Sequence, residues 1–596
     1  MAPYQEKRPP VSETRRVILE ALRRVLTGPL GLPADSPLLD DALALETPRD
    51  ASHGDLTGVA AMRLSKALRK NPREIAKTIV DALAASGALA AVVECPAVAG
   101  PGFINFTLKP SWVESEAAKF RADERLGVEP ALKPRTVVVD FSAPNVAKPM
   151  HVGHIRSTVI GDSISRVLKL LGHKVVRDNH LGDWGTQFGM IIHGLKSGGL
   201  AARAGSMGVD EVEKVYRSVN DRIEAEGDAG ATAQAARAEV VKLHSGDAEN
   251  RALWQALMQA SLPELEATYV RLGVSFDVTL GESFYEKMLG AVARDLEAKG
   301  LARRSEGALA IFYEGEKLPP FLVQKRDGAF LYAATDLATV KYRVDTWGAD
   351  WMIYVVDGRQ QLHFNQLFEA ARMWGYANVR FEHPWFGSVL GEDGKPFRTR
   401  AGGTVRLSAL LDEAESRATA VVEAKSPGLS ADEKRNIARV VGIGALKYAD
   451  LSQNRTSDYV FSWDKMLALA GNTAPYMQYM YARIRSIFRK GGFDPSEFDR
   501  APEACRIDAP EEIALAKALI AFPDAVELAG EQLRPNFLSA YLYDLAGRFS
   551  TFYDHCPVLQ APDEPTRLSR LSLCDHTARV IKLGLDLLGI DVVEQM

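Results

Sequence analysis

The sequence predicts a multidomain α/β protein: a parallel-sheet core split by an insertion, with an N-terminal α+β domain before it and a C-terminal all-α helical bundle after it. Three observations carry that prediction. A β-branched run, RTVVVDF (135–141), an apolar-periodic stretch and a second run, KVVRDN (174–179), make one strand–helix–strand unit. That rhythm breaks at 194 and resumes near 352. From about 410 onward, helical periodicity dominates. At 596 residues the chain exceeds what one core can organise, and three to five domains are expected.

Taken in order, SETRRVILEALRRVLT (12–27) carries apolar residues at helical spacing behind a serine start. TGVAAMRLSKALRK continues the helical pattern into NPREIAKTIVDALAAS, where Asn71 and Pro72 suit an N-cap and first helical position. GPGFINFTL reads as a turn and an alternating strand, so residues 1–125 form the α+β unit. In the first half of the core, 126–193, residues Ile155, Val159, Ile160, Ile164, Val167, Leu168 and Leu171 mark an amphipathic helix that Gly172 ends. The insertion, 194–330, combines charged helical stretches with a section of short strands around ALAIFYEGEKLPPFLVQKR. MIYVVDG and WFGSVL then resume the sheet within 331–409. A linking helical region, 410–465, leads into the helical domain, 466–596, with loops near 491–510 and 555–567.

The formal net charge of -5 excludes a generally basic surface, so contact with nucleic acid would need local patches. Cys95, Cys505, Cys556 and Cys574 are scattered and form no CxxC pair, which fits free thiols in a reducing cytoplasm. The charged, Pro-broken start MAPYQEKRPP does not read as a signal peptide, and no run of eighteen apolar residues occurs. A cytoplasmic protein without membrane contact is expected.

The stretch SAPNVAKPMHVGHIRS (142–157) sits where ligands bind in such sheets, at the carboxyl end of a strand and the start of a helix. His151 and His154, three apart, could share a metal, but a catalytic zinc needs a third ligand and a carboxylate base. Phosphate binding uses more of the stretch: a helix N-terminus with free N–H groups, the charge of Lys148, and two imidazole donors. Gly153 would leave room for a base or ribose against the backbone. A polar loop without chemistry is the third reading.

PNVAKPMHVGHIRS resembles the HIGH-type motif of class I aminoacyl-tRNA synthetases, and in particular the arginyl-tRNA synthetases. The resemblance continues through GDSISRVLKLLGHKVVRDNHLGDWGTQFGM, GSVLGEDGKPFRTRAGGTVRL, KYADLSQNRTSDYVFSWDKMLALAGNTAPYMQYMYAR and LLGIDVVEQM, with weaker likeness in NPREIA and GPGFINFTL. It implies a Rossmann-type catalytic core, ATP as substrate with Mg²⁺ carried on its phosphates rather than in a dedicated protein site, L-arginine, and tRNA(Arg). It also implies tRNA-dependent activation of arginine and a monomer without DNA contact. His151 and His154 would stabilise phosphate charge, and His151 would also border the arginine. In place of the usual KMSKS loop stands GEDGKPFRTR, with Lys395, Arg398 and Arg400; composition alone reads GEDGK as a solvated turn. By the resemblance Lys148 is the main triphosphate cation, and Lys395 and Arg398 assist.

The same resemblance places Asp140, Tyr332 and Asp336 around the guanidinium, with Asn145 and Gln360 on the substrate's amino and carboxylate groups. Tyr332 and Asp336, four apart, share a helix face, although Asp336 alone also suits a helix cap. A forked acceptor site selects guanidinium over ammonium, so no editing domain is expected. In GNTAPYMQYMYARIRSIFRK (471–490) there are four basic residues, no acidic ones and three tyrosines. Tyr476, Tyr479 and Arg483 share a face suited to stacking on unpaired bases, or alternatively to packing a bundle. The N-terminal unit would touch the outer corner of the tRNA. Rival readings are a cysteinyl-type synthetase, whose zinc-ligand cysteines this chain lacks, a catalytically dead tRNA-binding relative, and a metal-dependent hydrolase.

Overall fold

The computed structural model describes residues 12–48, 50–146, 148–397, 405–494 and 506–596. Arg398, Arg400 and Cys505 lie outside the described residues. In the N-terminal unit the helices Glu13–Thr27 and Pro72–Ser86 begin as their caps dictate. Ser12 accepts from the Arg15 N–H, and the Asn71 side chain accepts from the Arg73 N–H at 2.9 Å with Pro72 following. Pro72–Ser86 packs on a four-stranded antiparallel sheet of Leu45–Glu46, Leu56–Gly58, Phe103–Phe106 and Ala97–Ala99, paired in that order, and Glu13–Thr27 packs against that helix.

The core is a five-stranded parallel sheet. Its strands are β1 (Thr136–Asp140), β2 (Lys174–Leu181), β3 (Val278–Gly281), β4 (Trp351–Tyr354) and β5 (Arg380–Glu382), in the spatial order β5-β4-β1-β2-β3. Val137, Val138 and Val139 are fully buried, as a central parallel strand requires. Two sequence expectations change here. The sheet takes β3 from within 194–330, a four-residue strand, VTLG, too short to register as a β-branched run. WFGSVL meets the sheet edge only through one parallel bridge, Phe386 to Asp357 beyond β4, and its Val389–Leu390 pairs with Tyr459–Val460 as a separate two-stranded element.

The Val152–Leu170 helix is buried on nearly all sides rather than amphipathic, because the C-terminal helices close over it. Its polar residues find partners there. Arg156 forms a buried ion pair with Asp450 at 3.0 Å, and the Ser163 hydroxyl donates to the Leu587 carbonyl at 2.9 Å. Gly161 is required beneath Phe141, whose ring lies 2.2 Å from where a Cβ would stand. The insertion carries the helices Val209–Glu226, Ala231–Ser245, Ala248–Leu272 and Glu282–Ala298 and a three-stranded antiparallel sheet around Ala308–Ile311, and the Thr186–Ser197 helix leads into it from the first half of the core. Ion pairs Arg15–Asp524 and Lys517–Asp55, both at 2.8 Å, fasten the N-terminal unit to the helical bundle. Among the described residues, no helix is long and apolar enough to cross a membrane.

Candidate active site

Because all five core strands are parallel, the segments leaving β1, β2, β3 and β4 emerge at one edge of the sheet. After β1 comes the two-histidine turn. His151 caps the Val152–Leu170 helix, its Nδ1 accepting from the Gly153 N–H at 3.1 Å, while the His151 N–H donates to His154 Nδ1 at 3.0 Å. A backbone N–H can only donate, so both Nδ1 atoms carry lone pairs and both protons sit on Nε2. The rings lie 4.0 Å apart. Burial, then the charge of Lys148, lowers the His151 pKa. Burial, then His151, pushes His154 down to about 3. At neutral pH the turn therefore offers two uncharged Nε2–H donors, and neither Nε2 has a lone pair for a metal. Among the described residues, no group of three metal-ligating side chains forms.

Gly153 has a nearer reason than space for a nucleotide: a Cβ there would stand 2.9 Å from the folded-back His151 ring. Lys148 extends to the insertion, its Nζ 4.1 Å from the centroid of the Tyr216 ring. The segment after the GEDGKPFRTR loop also returns to this turn. Val152 N–H donates to the Val405 carbonyl and Leu407 N–H to that of Met150, both at 2.9 Å, with Arg406 bridged to His151. Arg406 in turn holds Asp210 and Glu213 of the insertion. The described part of the loop is a tight exposed turn, with Gly391 N–H donating to the Lys395 carbonyl at 2.7 Å and Gly394 at φ 72°. The Lys395 side chain is exposed.

Acidic groups gather beyond β3 and at the start of the Tyr332–Trp347 helix. Asp336, one turn in, accepts from His363 Nε2 at 2.6 Å. Burial opposes the charge on His363, but the hydrogen bond and charge of Asp336 outweigh it and raise the pKa. Tyr332 is 62% exposed and reaches toward the β2 loop: its hydroxyl is 3.7 Å from where a Cβ on Gly185 would stand. Glu282, the residue directly after β3, was not singled out by the sequence. Half-buried and first of its helix, it is pushed up to about 8 by burial, then by Asp336 and Asp183. Asp183 sets its place by capping that helix, taking the Ser283 N–H at 2.9 Å and the Ser283 hydroxyl at 2.6 Å. A carboxylate burdened by neighbouring carboxylates is a ready acceptor for a cation.

Asp140 has an internal partner. Its carboxylate binds the chain's own Arg343 at 2.5 Å, together with Asp178 at 2.8 Å, and the Arg343 side chain is fully buried. One guanidinium, the chain's own, thus already occupies that Asp140 oxygen. Asn145, exposed above Gly182, accepts from Gln187 Nε2 at 3.1 Å. Gln360 is exposed just beyond β4, at the start of the Gln361–Ala371 helix.

On the Ala474–Gly491 helix, Tyr479 is 40% exposed, while Tyr476 is half-buried with its ring edge-on to Tyr543. Arg483 lies over Tyr553, 4.4 Å from its ring centroid. Tyr543 and Tyr553 come from the Asn536–His555 helix and join this aromatic face, which spacing within a single helix could not reveal.

Comparisons with known proteins agree along the chain. Residues 120–463 match the family described as tRNA synthetases class I (R), catalytic domain. Residues 477–596 match the DALR anticodon binding domain, and 12–108 the arginyl tRNA synthetase N terminal domain. An arginine–tRNA ligase of Klebsiella pneumoniae is 48% identical over 91% of this chain and 94% of its own. That of Escherichia coli K12 is 47% identical over the same shares. Among solved structures, arginyl-tRNA synthetases from Plasmodium falciparum and Thermus thermophilus superpose with TM-scores of 0.84 and 0.81. They are 28% and 27% identical to this chain, and each comparison covers 98% of this chain and all of the other.

Proposed function

The chain belongs to the class I arginyl-tRNA synthetases, joining arginine to tRNA with ATP, and on that premise we propose how its residues divide the work. In the first step the arginine carboxylate attacks the α-phosphorus of ATP, and pyrophosphate leaves. In the second, a hydroxyl of the terminal tRNA ribose displaces AMP from the activated arginine.

His151 and His154 direct their Nε2–H groups at phosphate oxygens, where charge builds as pyrophosphate departs. The donors need no proton transfer, since both rings are neutral before ATP arrives. Lys148 supplies the main positive charge to the triphosphate, and Lys395 and Arg398 assist from the loop. ATP enters with Mg²⁺ on its phosphates. Glu282 and Asp336 receive the guanidinium, and Tyr332 closes over it. Asn145 and Gln360 hold the amino and carboxylate ends. The observation that carries this reading is one sheet edge with neutral donors after β1 and crowded carboxylates after β3.

The aromatic face of Tyr476, Tyr479, Tyr543, Tyr553 and Arg483 stacks on anticodon bases, and the N-terminal unit touches the outer corner of the tRNA. The division at 1–125, the core halves around an insertion, and the helical region from 466 follow from those roles. Activation waits for tRNA, and the enzyme works as a cytoplasmic monomer. Pyrophosphate exchange with each amino acid, with and without tRNA(Arg), tests the reading. Exchange with arginine alone, and only when tRNA is added, is expected; exchange with lysine or cysteine would defeat it.

A further inference from the structure

The insertion helix Val209–Glu226 has no role in the chemistry described so far, yet it reaches the triphosphate end of the site at two points. Its Tyr216 ring lies beneath the Lys148 ammonium, 4.1 Å from Nζ to the ring centroid. Six and three residues earlier, Asp210 and Glu213 take the guanidinium of Arg406, the latter at 3.0 Å. Arg406 is itself bridged to the His151 backbone. The helix is thus tied to the two-histidine turn by a route that does not pass through Lys148.

We propose that Tyr216 is a positioning residue for ATP: its ring face holds the Lys148 ammonium beside the two imidazole donors before the triphosphate binds. A lysine side chain on a polar turn otherwise samples many rotamers, and ordering it costs entropy that weakens binding. An aromatic face attracts an ammonium without neutralising it, whereas a carboxylate in the same place would compete with phosphate. Tyr216 is half-buried against the main hydrophobic core, so the ring is itself fixed. Its helix is fastened through Arg406 to the His151 turn. The proposal rests on Lys148 being the triphosphate cation, and its test separates the two claims.

The experiment is pyrophosphate exchange in the full chain with saturating tRNA(Arg) and arginine, comparing Y216L, Y216F, K148A and the K148A/Y216L double variant. Y216L is expected to lower kcat/KM for ATP about threefold to tenfold, mostly through KM, with the arginine KM unchanged. Y216F, which keeps the ring, restores near-normal ATP dependence. In the K148A background, Y216L adds nothing, because the two residues act as one unit. Replacing Tyr216 with pentafluorophenylalanine keeps the shape but reverses the ring's charge distribution; it should reproduce the Y216L defect even if Y216L folds poorly. An impaired K148A beside an unaffected Y216L or fluorinated variant overturns the positioning role alone. So does a Y216L loss that persists in full on K148A. An unaffected K148A overturns the assignment of Lys148 and the proposal with it.

Discussion

The two ends of the candidate site meet the same physical problem, burial of ionisable groups, and resolve it in opposite directions. At the two-histidine turn, burial removes charge and leaves donors: His151 and His154 are neutral, and backbone N–H groups fix each proton on Nε2. In the acidic pocket, burial and then the neighbouring carboxylates make charge costly until a cation arrives, with Glu282 pushed up to about 8. The difference fits the two substrates. A triphosphate brings its own charge and needs donors that are ready beforehand, whereas a guanidinium brings the charge that the carboxylates are waiting for.

The largest effect should come from the donor end. His154→Ala removes one fixed donor and should slow arginine-dependent pyrophosphate exchange roughly 100- to 1000-fold, with the arginine KM little changed. An equal rise in the arginine KM would erase the distinction between the two ends. Next, Asp336→Ala should raise the arginine KM roughly 10- to 100-fold, the cost of about 1.5–3 kcal/mol for a lost charged hydrogen bond, and leave ATP dependence nearly intact. Unchanged arginine dependence would remove Asp336 from the pocket.

Acidity sharpens the contrast. Guanidinium binds the ionised form of Glu282, so arginine binding releases a proton and tightens as pH rises toward about 8. His363 pushes the same way, because its proton, held by Asp336, neutralises that carboxylate at lower pH. The arginine KM should therefore fall between pH 6.5 and 8.5, by at most about tenfold per pH unit for each proton released. Glu282→Gln should flatten that slope; an identical slope would show that Glu282 does not titrate in the pocket. The smallest effect is expected far from both ends. Tyr479→Ala should raise the KM for tRNA(Arg) roughly fivefold, the low end of base stacking, without altering exchange at saturating tRNA.

The two regions also differ in how far sequence could reach them. The donor end is contiguous: His151, Gly153, His154 and Lys148 fall within seven residues between a strand and a helix, so type and spacing marked the place, while the choice among metal, phosphate and plain loop came from the family resemblance. The acidic pocket is assembled from distant segments. Glu282 follows a strand of four residues that gives no periodic signal, and its neighbour Asp336 is fifty-four positions away. Asp140 gives no local sign of its partner, Arg343, which is 203 residues further along. A carboxylate at the end of a strand reads the same whether it faces substrate or an internal guanidinium.

The fold divides similarly. Local patterns marked β1, β2, β4 and the capped N-terminal helices, where propensity and capping agree with the final structure. Periodicity did not reveal that the Val152–Leu170 helix is enclosed. Its polar residues Arg156 and Asp162 lie inside, paired with Asp450 and Arg166. WFGSVL shows a related limit: a β-branched or aromatic run predicts a strand but not its partner, which for Val389–Leu390 is Tyr459–Val460.

The most direct measurement is a crystal structure of the chain with a non-hydrolysable ATP analogue. The phosphate tail should lie within hydrogen-bond distance of Nε2 on both His151 and His154, with the Lys148 ammonium against it and no contact to Glu282. A tail bound away from those imidazoles, or a metal ion ligated by both Nε2 atoms, would contradict the assignment.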